Sequence, residues 1–160
     1  MKNVEEFLKN NNIEYVLHEH PAVYTCEEAQ KYCSHVPGVA AKNLFLRDDK
    51  KRRYFLVILG SKKRVDLKSL GEVFGIKRLS FASDKDLKEK LDLDPGAVSL
   101  FGLLNDENND VELYIDRDFY EKPVVNFHPN RNTASIELSN NMFRESLKAL
   151  NHEFNVTELA

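Results

Sequence analysis

A chain of 160 residues with 42% hydrophobic and 31% charged residues can bury a sizeable core and is too apolar to be disordered. Its formal net charge of −3 excludes a bulk polyanion binder, and no apolar run approaches the ~20 residues that span a bilayer. Cys26 and Cys33 are too few for a disulfide framework, and Met1-Lys2-Asn3-Val4-Glu5-Glu6 lacks the apolar stretch of a secretory signal, so a reducing, cytoplasmic setting is expected.

Val4, Phe7 and Leu8 recur at helical spacing before Asn10-Asn11-Asn12 stops the pattern. Ile13 to His18 alternates as a strand, with Ile13, Tyr15 and Leu17 on one side, and Pro21 breaks it. Thr25 followed by Glu28 reads as a capping box opening a helix to about Cys33, and Pro37-Gly38 ends it. Val39 to Arg47 follows as a strand covered on both faces, then a turn at Asp48-Asp49-Lys50-Lys51 and a second, apolar strand from Tyr54 to Leu59, together a hairpin. Asp66 to Phe74 fits a helix with Leu67, Leu70 and Val73 on its stripe and Gly75 as its stop. Lys77 to Phe81 is a short strand candidate, and Ser83 with Asp86 caps a helix over Lys85 to Leu91. After the Asp94-Pro95-Gly96 turn come strands at Val111 to Ile115, Pro123 to Pro129 and Thr133 to Leu138. Ser139 caps a last amphipathic helix carrying Met142, Phe143, Leu147 and Leu150. No repeat or linker interrupts residues 1–160, so one α+β domain is expected, a curved mixed or antiparallel sheet flanked by helices.

The strand at Val39 to Arg47 holds the chemistry of most interest. Alternation puts Ala40, Lys42, Leu44 and Leu46 on one face and Ala41, Asn43 and Phe45 on the other, so Lys42 points among apolar neighbours. An ammonium there either reaches out along its stem to water or a structural carboxylate, or lines a cleft and meets an anion. The loop from Pro95 to Gly102 has a glycine three residues either side of Ser99; the glycines serve turn geometry or let backbone N–H groups approach a carbonyl oxygen. His128 is held extended by Pro129 and shares a strand face with Asn126. A Ser99–His128 hydrolase dyad is discounted, because Ser99 lacks the Gly-x-Ser-x-Gly elbow and a carboxylate to orient the histidine. His18, His20, His35, Cys26 and Cys33 lack zinc-ligand spacing. Two basic clusters, Lys50-Lys51-Arg52-Arg53 and Lys62-Lys63-Arg64, flank the second strand and read either as solvated loops or as guides for a nucleic-acid end.

Five segments in order resemble the YbaK/ProX-like aminoacyl-tRNA deacylases, the prolyl-tRNA synthetase-associated editing domains. They are His20-Pro21-x-Val23-Tyr24-Thr25-x-Glu27-Glu28-Ala29, Ala41-Lys42-Asn43-Leu44-Phe45-Leu46, Arg64-Val65-Asp66-Leu67, Gly96-x-Val98-Ser99-x-x-Gly102-Leu103, and Asn126-Phe127-His128-Pro129 followed by Asn132-Thr133. The likeness spans almost the whole chain and is nearest to the free-standing type that acts in trans on alanine mischarged onto the proline tRNA. Leu100 departs from the Val-Ser-Pro form of the loop, which leaves that backbone less fixed.

The resemblance implies a hydrolase of the ester between an amino acid and the terminal adenosine, with no cofactor and no metal. It implies Lys42 and His128 as catalytic residues, Lys42 holding the substrate carbonyl or terminal phosphate and His128 shaping the pocket or positioning water, with the terminal ribose hydroxyl assisting. It implies substrate contacts from Tyr24, Asn43, Phe45, Gly96, Ser99, Gly102 and Asn126, with Val23, Tyr24 and Phe45 walling out larger side chains. The implied partners are a tRNA acceptor end bearing a mischarged small amino acid, and prolyl-tRNA synthetase, with no membrane. The alternative from a different class is a non-catalytic module that binds and regulates a tRNA end or a synthetase.

Overall fold

A computed structural model describes residues 3–159; Met1, Lys2 and the side chain of Cys26, on which the sequence reading drew, lie outside the described part. Helix termini follow the caps in the sequence. Side-chain oxygens of Asn3, Thr25, Asp66, Ser83 and Ser139 accept backbone N–H groups at the starts of α1 (Val4–Asn10), α2 (Cys26–Cys33), α3 (Leu67–Phe74), α4 (Asp84–Leu91) and α6 (Asn140–Leu150). Gly75 ends α3 in the left-handed conformation. The short α5 (Arg117–Tyr120) was not expected, nor was the 3-10 turn at Leu100–Asn105.

The strands are β1 (Val16–Glu19), β2 (Val39–Arg47), β3 (Tyr54–Gly60), β4 (Ser80–Phe81), β5 (Val111–Asp116), β6 (Val124–Phe127), β7 (Ala134–Ser139) and β8 (Phe154–Thr157), in one sheet of order β1-β7-β6-β2-β3-β5-β8 with β4 beside β2. The sheet is mixed: β2/β6, β3/β5 and β5/β8 are parallel, and the other pairings are antiparallel. The expected β2/β3 hairpin forms, with Asp48 Oδ1 accepting the N–H groups of Arg52 and Arg53 in its turn.

Strand alternation sorts the apolar residues into two layers. Phe45, Tyr54, Leu56 and Ile58 join the larger core with α1, α4, α6 and the inner face of β5–β7. Leu46, Phe55, Val57 and Leu59 meet Leu70 and Phe74 of α3 on the other side. The buried face of α3 runs through Leu70, Gly71 and Phe74, and Val73, expected on the stripe, is 47% exposed. One helical step of about 100° separates it from Phe74. Among the described residues no helix is long and apolar enough to cross a membrane.

A buried His152–Asp106 pair ties the end of α6 to the turn before β5, with Nε2 to Oδ2 at 3.2 Å. The hydrogen bond to Asp106 raises the imidazole above its ordinary range. Burial works to raise Asp106, but hydrogen bonds from His152 and from the backbone of Val111 and Asp110 outweigh it and leave the carboxyl lowered. The depressed acid contributes stability that is lost as pH falls through its folded value, and the elevated base contributes stability lost as pH rises through its own. The pair is therefore fully effective between about pH 3.9 and 6.5.

Gly38 marks the point where β2 closes on β6. Its φ is +91°, and a Cβ there would lie 2.6 Å from the Val124 carbonyl oxygen, whereas Gly75 at φ +73° has nothing within 4 Å. Gly38→Ala is expected to lose more than about 2 kcal/mol in urea unfolding, from strain and clash together, and Gly75→Ala about 1 kcal/mol. Equal losses would contradict backbone crowding as the constraint at this junction.

Candidate active site

Parallel pairing of β2 with β6 sets Val39 beside Val125 and Ala40 beside Asn126. Val39 and Val125 face the larger core, so Ala40 and Asn126 face the opposite side, with Lys42 and His128 two residues further along their strands. On this face lies a cavity of about 570 Å³, roofed by Ala29 and Cys33 of α2 and floored by Ala40, Asn126, His128 and Ser135. Gly60 to Lys63, Asp118 and Lys122 form its rim. Its size suits a small acyl group with part of a nucleoside.

His128 Nδ1 is 2.8 Å from the Ala134 carbonyl oxygen. A carbonyl only accepts, so Nδ1 carries the hydrogen, and in the neutral ring Nε2 is left as an acceptor. Burial pushes the imidazole below its ordinary range; the bond to Ala134 opposes this and the neighbouring His20 adds to it. His128 is therefore neutral at pH 7, a form able to take a proton.

Lys42 is half-buried, and its ammonium donates to the Lys63 carbonyl. Lys42 is not itself in the cavity wall, but Lys63 is, so the amine lies at the cavity's edge. An ammonium has three N–H bonds, and one acceptor leaves donors for a substrate oxygen.

The other expected contacts divide. Asn126 is in the wall and donates to the Pro37 carbonyl at 3.1 Å, tying the end of the α2–β2 connection to the sheet. Tyr24, 72% exposed, and Gly96 lie together outside the wall: a Cβ on Gly96 would sit 3.3 Å from the Tyr24 ring. Val23, also expected in the pocket, is buried and bonded to Asn132, outside the wall. Ser99 is fully buried, its Oγ accepting the Phe101 N–H at 3.2 Å as the cap of the 3-10 turn. Gly102 packs against Leu91 and Leu93. Phe45 stacks on Tyr54 within the core at 5.7 Å, and Asn43 shares its strand face. Ser99, Gly102 and Phe45 thus have packing roles, and the structure does not bring them to the cavity. The loop nonetheless touches the histidine's strand through Asn130, whose Nδ2 donates to the Phe101 carbonyl at 3.2 Å.

One wall residue, Ser135, was missed. Ser135 stands at one end of a hydrogen bond to His20 Nε2 at 3.0 Å, and His20 Nδ1 in turn faces the Pro21 carbonyl at 2.9 Å. The His20 ring meets His128 edge-on at 6.0 Å. Ser135 shares its strand face with the polar Glu137 and Ser139, so alternation read it as an outward residue although it is buried. Burial pushes the Cys33 thiol up, with a hydrogen bond to Ser135 opposing, so it is no thiolate nucleophile. The basic clusters are also partly neutralised. Arg53 makes a bidentate pair with Glu112 at 2.8 Å, and Lys63 pairs with Asp116 at 2.9 Å, while Lys62 of the rim and the nearby Arg64 are exposed.

A sequence profile of the aminoacyl-tRNA editing domain family matches residues 20–145. The chain belongs to this family. The prolyl-tRNA editing protein ProX of Acetoanaerobium sticklandii is 42% identical over 147 residues, 92% of this chain and 90% of that protein. The prolyl-tRNA synthetase associated domain-containing protein 1 of Danio rerio is 38% identical over 140 residues, 86% of this chain and 76% of that protein. A crystal structure described as a candidate trans-editing enzyme for prolyl tRNA synthetase superposes with a TM-score of 0.69 at 21% identity, covering 96% of this chain and 92% of that one, and shows the same fold. This editing domain is accordingly a hydrolase that deacylates mischarged tRNA, rather than a non-catalytic binding module.

Imidazole NMR titration tests the electrostatics. His128 is expected to titrate below about pH 6.5 and His152 above it. A His128 midpoint at or above 6.5 would contradict its neutral role.

Proposed function

We propose that this editing domain acts in trans on the proline tRNA mischarged with alanine, with Lys42 and His128 performing the hydrolysis. The observation that carries this is a half-buried ammonium and a neutral imidazole on one sheet face, the imidazole in the cavity wall and the ammonium bonded to the wall residue Lys63. The ProX relative supports the prolyl-tRNA assignment.

In the proposed reaction a water, oriented by the terminal ribose hydroxyl, attacks the ester carbonyl while His128 Nε2 takes its proton. Negative charge gathers on the carbonyl oxygen, and the Lys42 ammonium stabilises it more strongly in the transition state than in the ground state. The acyl–oxygen bond then breaks, the proton passes to the departing ribose oxygen, and alanine and an intact tRNA end are released. Lys62 and Arg64 draw the phosphate backbone toward the rim, so binding weakens as salt rises. A cavity rejects a larger acyl group sterically, which is how alanine is separated from cognate proline; binding alone distinguishes a methylene by only about 10–200-fold. Tyr24, exposed beside Gly96, offers a ring for an unpaired base to stack on. Prolyl-tRNA synthetase is the proposed partner, since it produces the error that this reaction removes.

Deacylation assays on a panel of aminoacyl-tRNAs test the proposal. Alanyl-tRNA bearing the proline acceptor is expected to turn over, and correctly charged prolyl-tRNA to persist. Lys42→Ala is expected to lower kcat/KM about 10²–10³-fold and His128→Ala at least about 10²-fold, both with native melting behaviour. Undiminished turnover by Lys42→Ala would reject the lysine's role, and hydrolysis of prolyl-tRNA at the same rate would reject the specificity.

A further inference from the structure

Lys42 reaches one carbonyl, that of Lys63, and the position of its amine is only as well defined as that carbonyl. Lys63 sits in the irregular segment between β3 and α3, outside any strand ladder. Its backbone N–H bonds to the Gly60 carbonyl at 3.0 Å, a local turn contact. The segment is tied to β2 two residues earlier, where the Ser61 N–H donates to the Ala40 carbonyl at 2.8 Å, and at Lys63 itself the further long-range hold comes from the side chain. Lys63 Nζ lies 2.9 Å from Asp116 Oδ2 at the end of β5 and 3.4 Å from Asp118 Oδ2. Asp116 is 1% exposed, and its other oxygen accepts the Leu159 backbone N–H at 3.0 Å. With both oxygens engaged from different directions, this carboxylate has one orientation.

We propose that Asp116 is a positioning residue for the editing reaction: its ion pair with Lys63 anchors the segment whose carbonyl holds the Lys42 amine at the cavity edge. The inference rests on the role of Lys42 given under the proposed function. It differs from an ordinary surface pair, which contributes little, because one partner is fully enclosed and cannot turn to water. A misplacement of about 1 Å at a reacting group can cost 10²-fold in rate, so a hold of this kind has catalytic weight without touching substrate. It also assigns Lys63 a purpose other than RNA binding. A cation held between Asp116 and Asp118 is poorly placed to take a phosphate, although it lies in the basic cluster.

Single-turnover deacylation of alanyl-tRNA, measured over a range of enzyme concentrations, separates these roles. Asp116→Asn and Lys63→Ala are each expected to slow the chemical step about tenfold with the half-saturating enzyme concentration within twofold of wild type. Lys63→Arg is expected to recover most of the loss. In a Lys42→Ala background, Lys63→Ala is expected to add no further loss, since its effect passes through the missing amine. The inference is overturned if the Lys42 and Lys63 losses multiply, if Asp116→Asn leaves the chemical step unchanged, or if the Lys63 effect falls wholly on binding. Lys63→Ala leaves the Asp116–Leu159 bond in place, so it carries the test should Asp116→Asn fail to fold. Full activity in Lys42→Ala would overturn the proposed lysine role and this inference together; an inactive Lys42→Ala with multiplying losses would overturn the inference alone.

Discussion

Two residues of β2, Val39 and Ala40, pair with β6 before the strand continues along β3 for seven residues. That short parallel contact joins the β1-β7-β6 part of the sheet to the β3-β5-β8 part. It also aligns the two strands so that Lys42 and His128 face the same way, and a slip of one residue would turn one of them into the core. Gly38 makes the contact possible by bringing the backbone against Val124 without a side chain between them. The cavity, the ammonium and the imidazole are consequences of this junction.

From it the chemistry divides by charge. Partial burial favours the uncharged form of His128, and the Ala134 carbonyl fixes which nitrogen carries the hydrogen. Lys42 is half-exposed, with the Lys63 carbonyl as acceptor for its amine. A neutral imidazole and, on the same sheet face, an ammonium with no carboxylate partner among the described residues match the proposed reaction, in which water loses a proton while a carbonyl oxygen gains negative charge. Around the rim Arg53 and Lys63 pair with Glu112 and Asp116, while Lys62 and Arg64 are exposed.

Much of this was legible in the chain. The β2 boundaries, the hairpin and the caps at Thr25, Ser83 and Ser139 follow from local chemistry and stand as expected. The elements overlooked are short or depend on distant partners. Four residues of α5 cannot display a helical period, and β8 is an edge strand defined by parallel pairing to β5. Spacing left the loop around Ser99 and Gly102 open between turn geometry and ligand contact, and in the structure the serine side chain caps a 3-10 turn while the glycine packs against Leu91 and Leu93. The cavity wall joins residues from 29 to 135, and the Ser135–His20 bond crosses 115 positions, so alternation flags each residue without naming its partner.

The most direct measurement is the structure of the editing domain bound to an amide-linked alanyl-adenosine, which mimics the ester but resists hydrolysis. The acyl carbonyl is predicted to lie within about 3 Å of Lys42 Nζ, with His128 Nε2 within reach, directly or through one water, of the carbonyl carbon's open face. An acyl group bound away from the cavity under α2, with Lys42 still turned to Lys63 alone, would contradict the assignment of this face as the catalytic one.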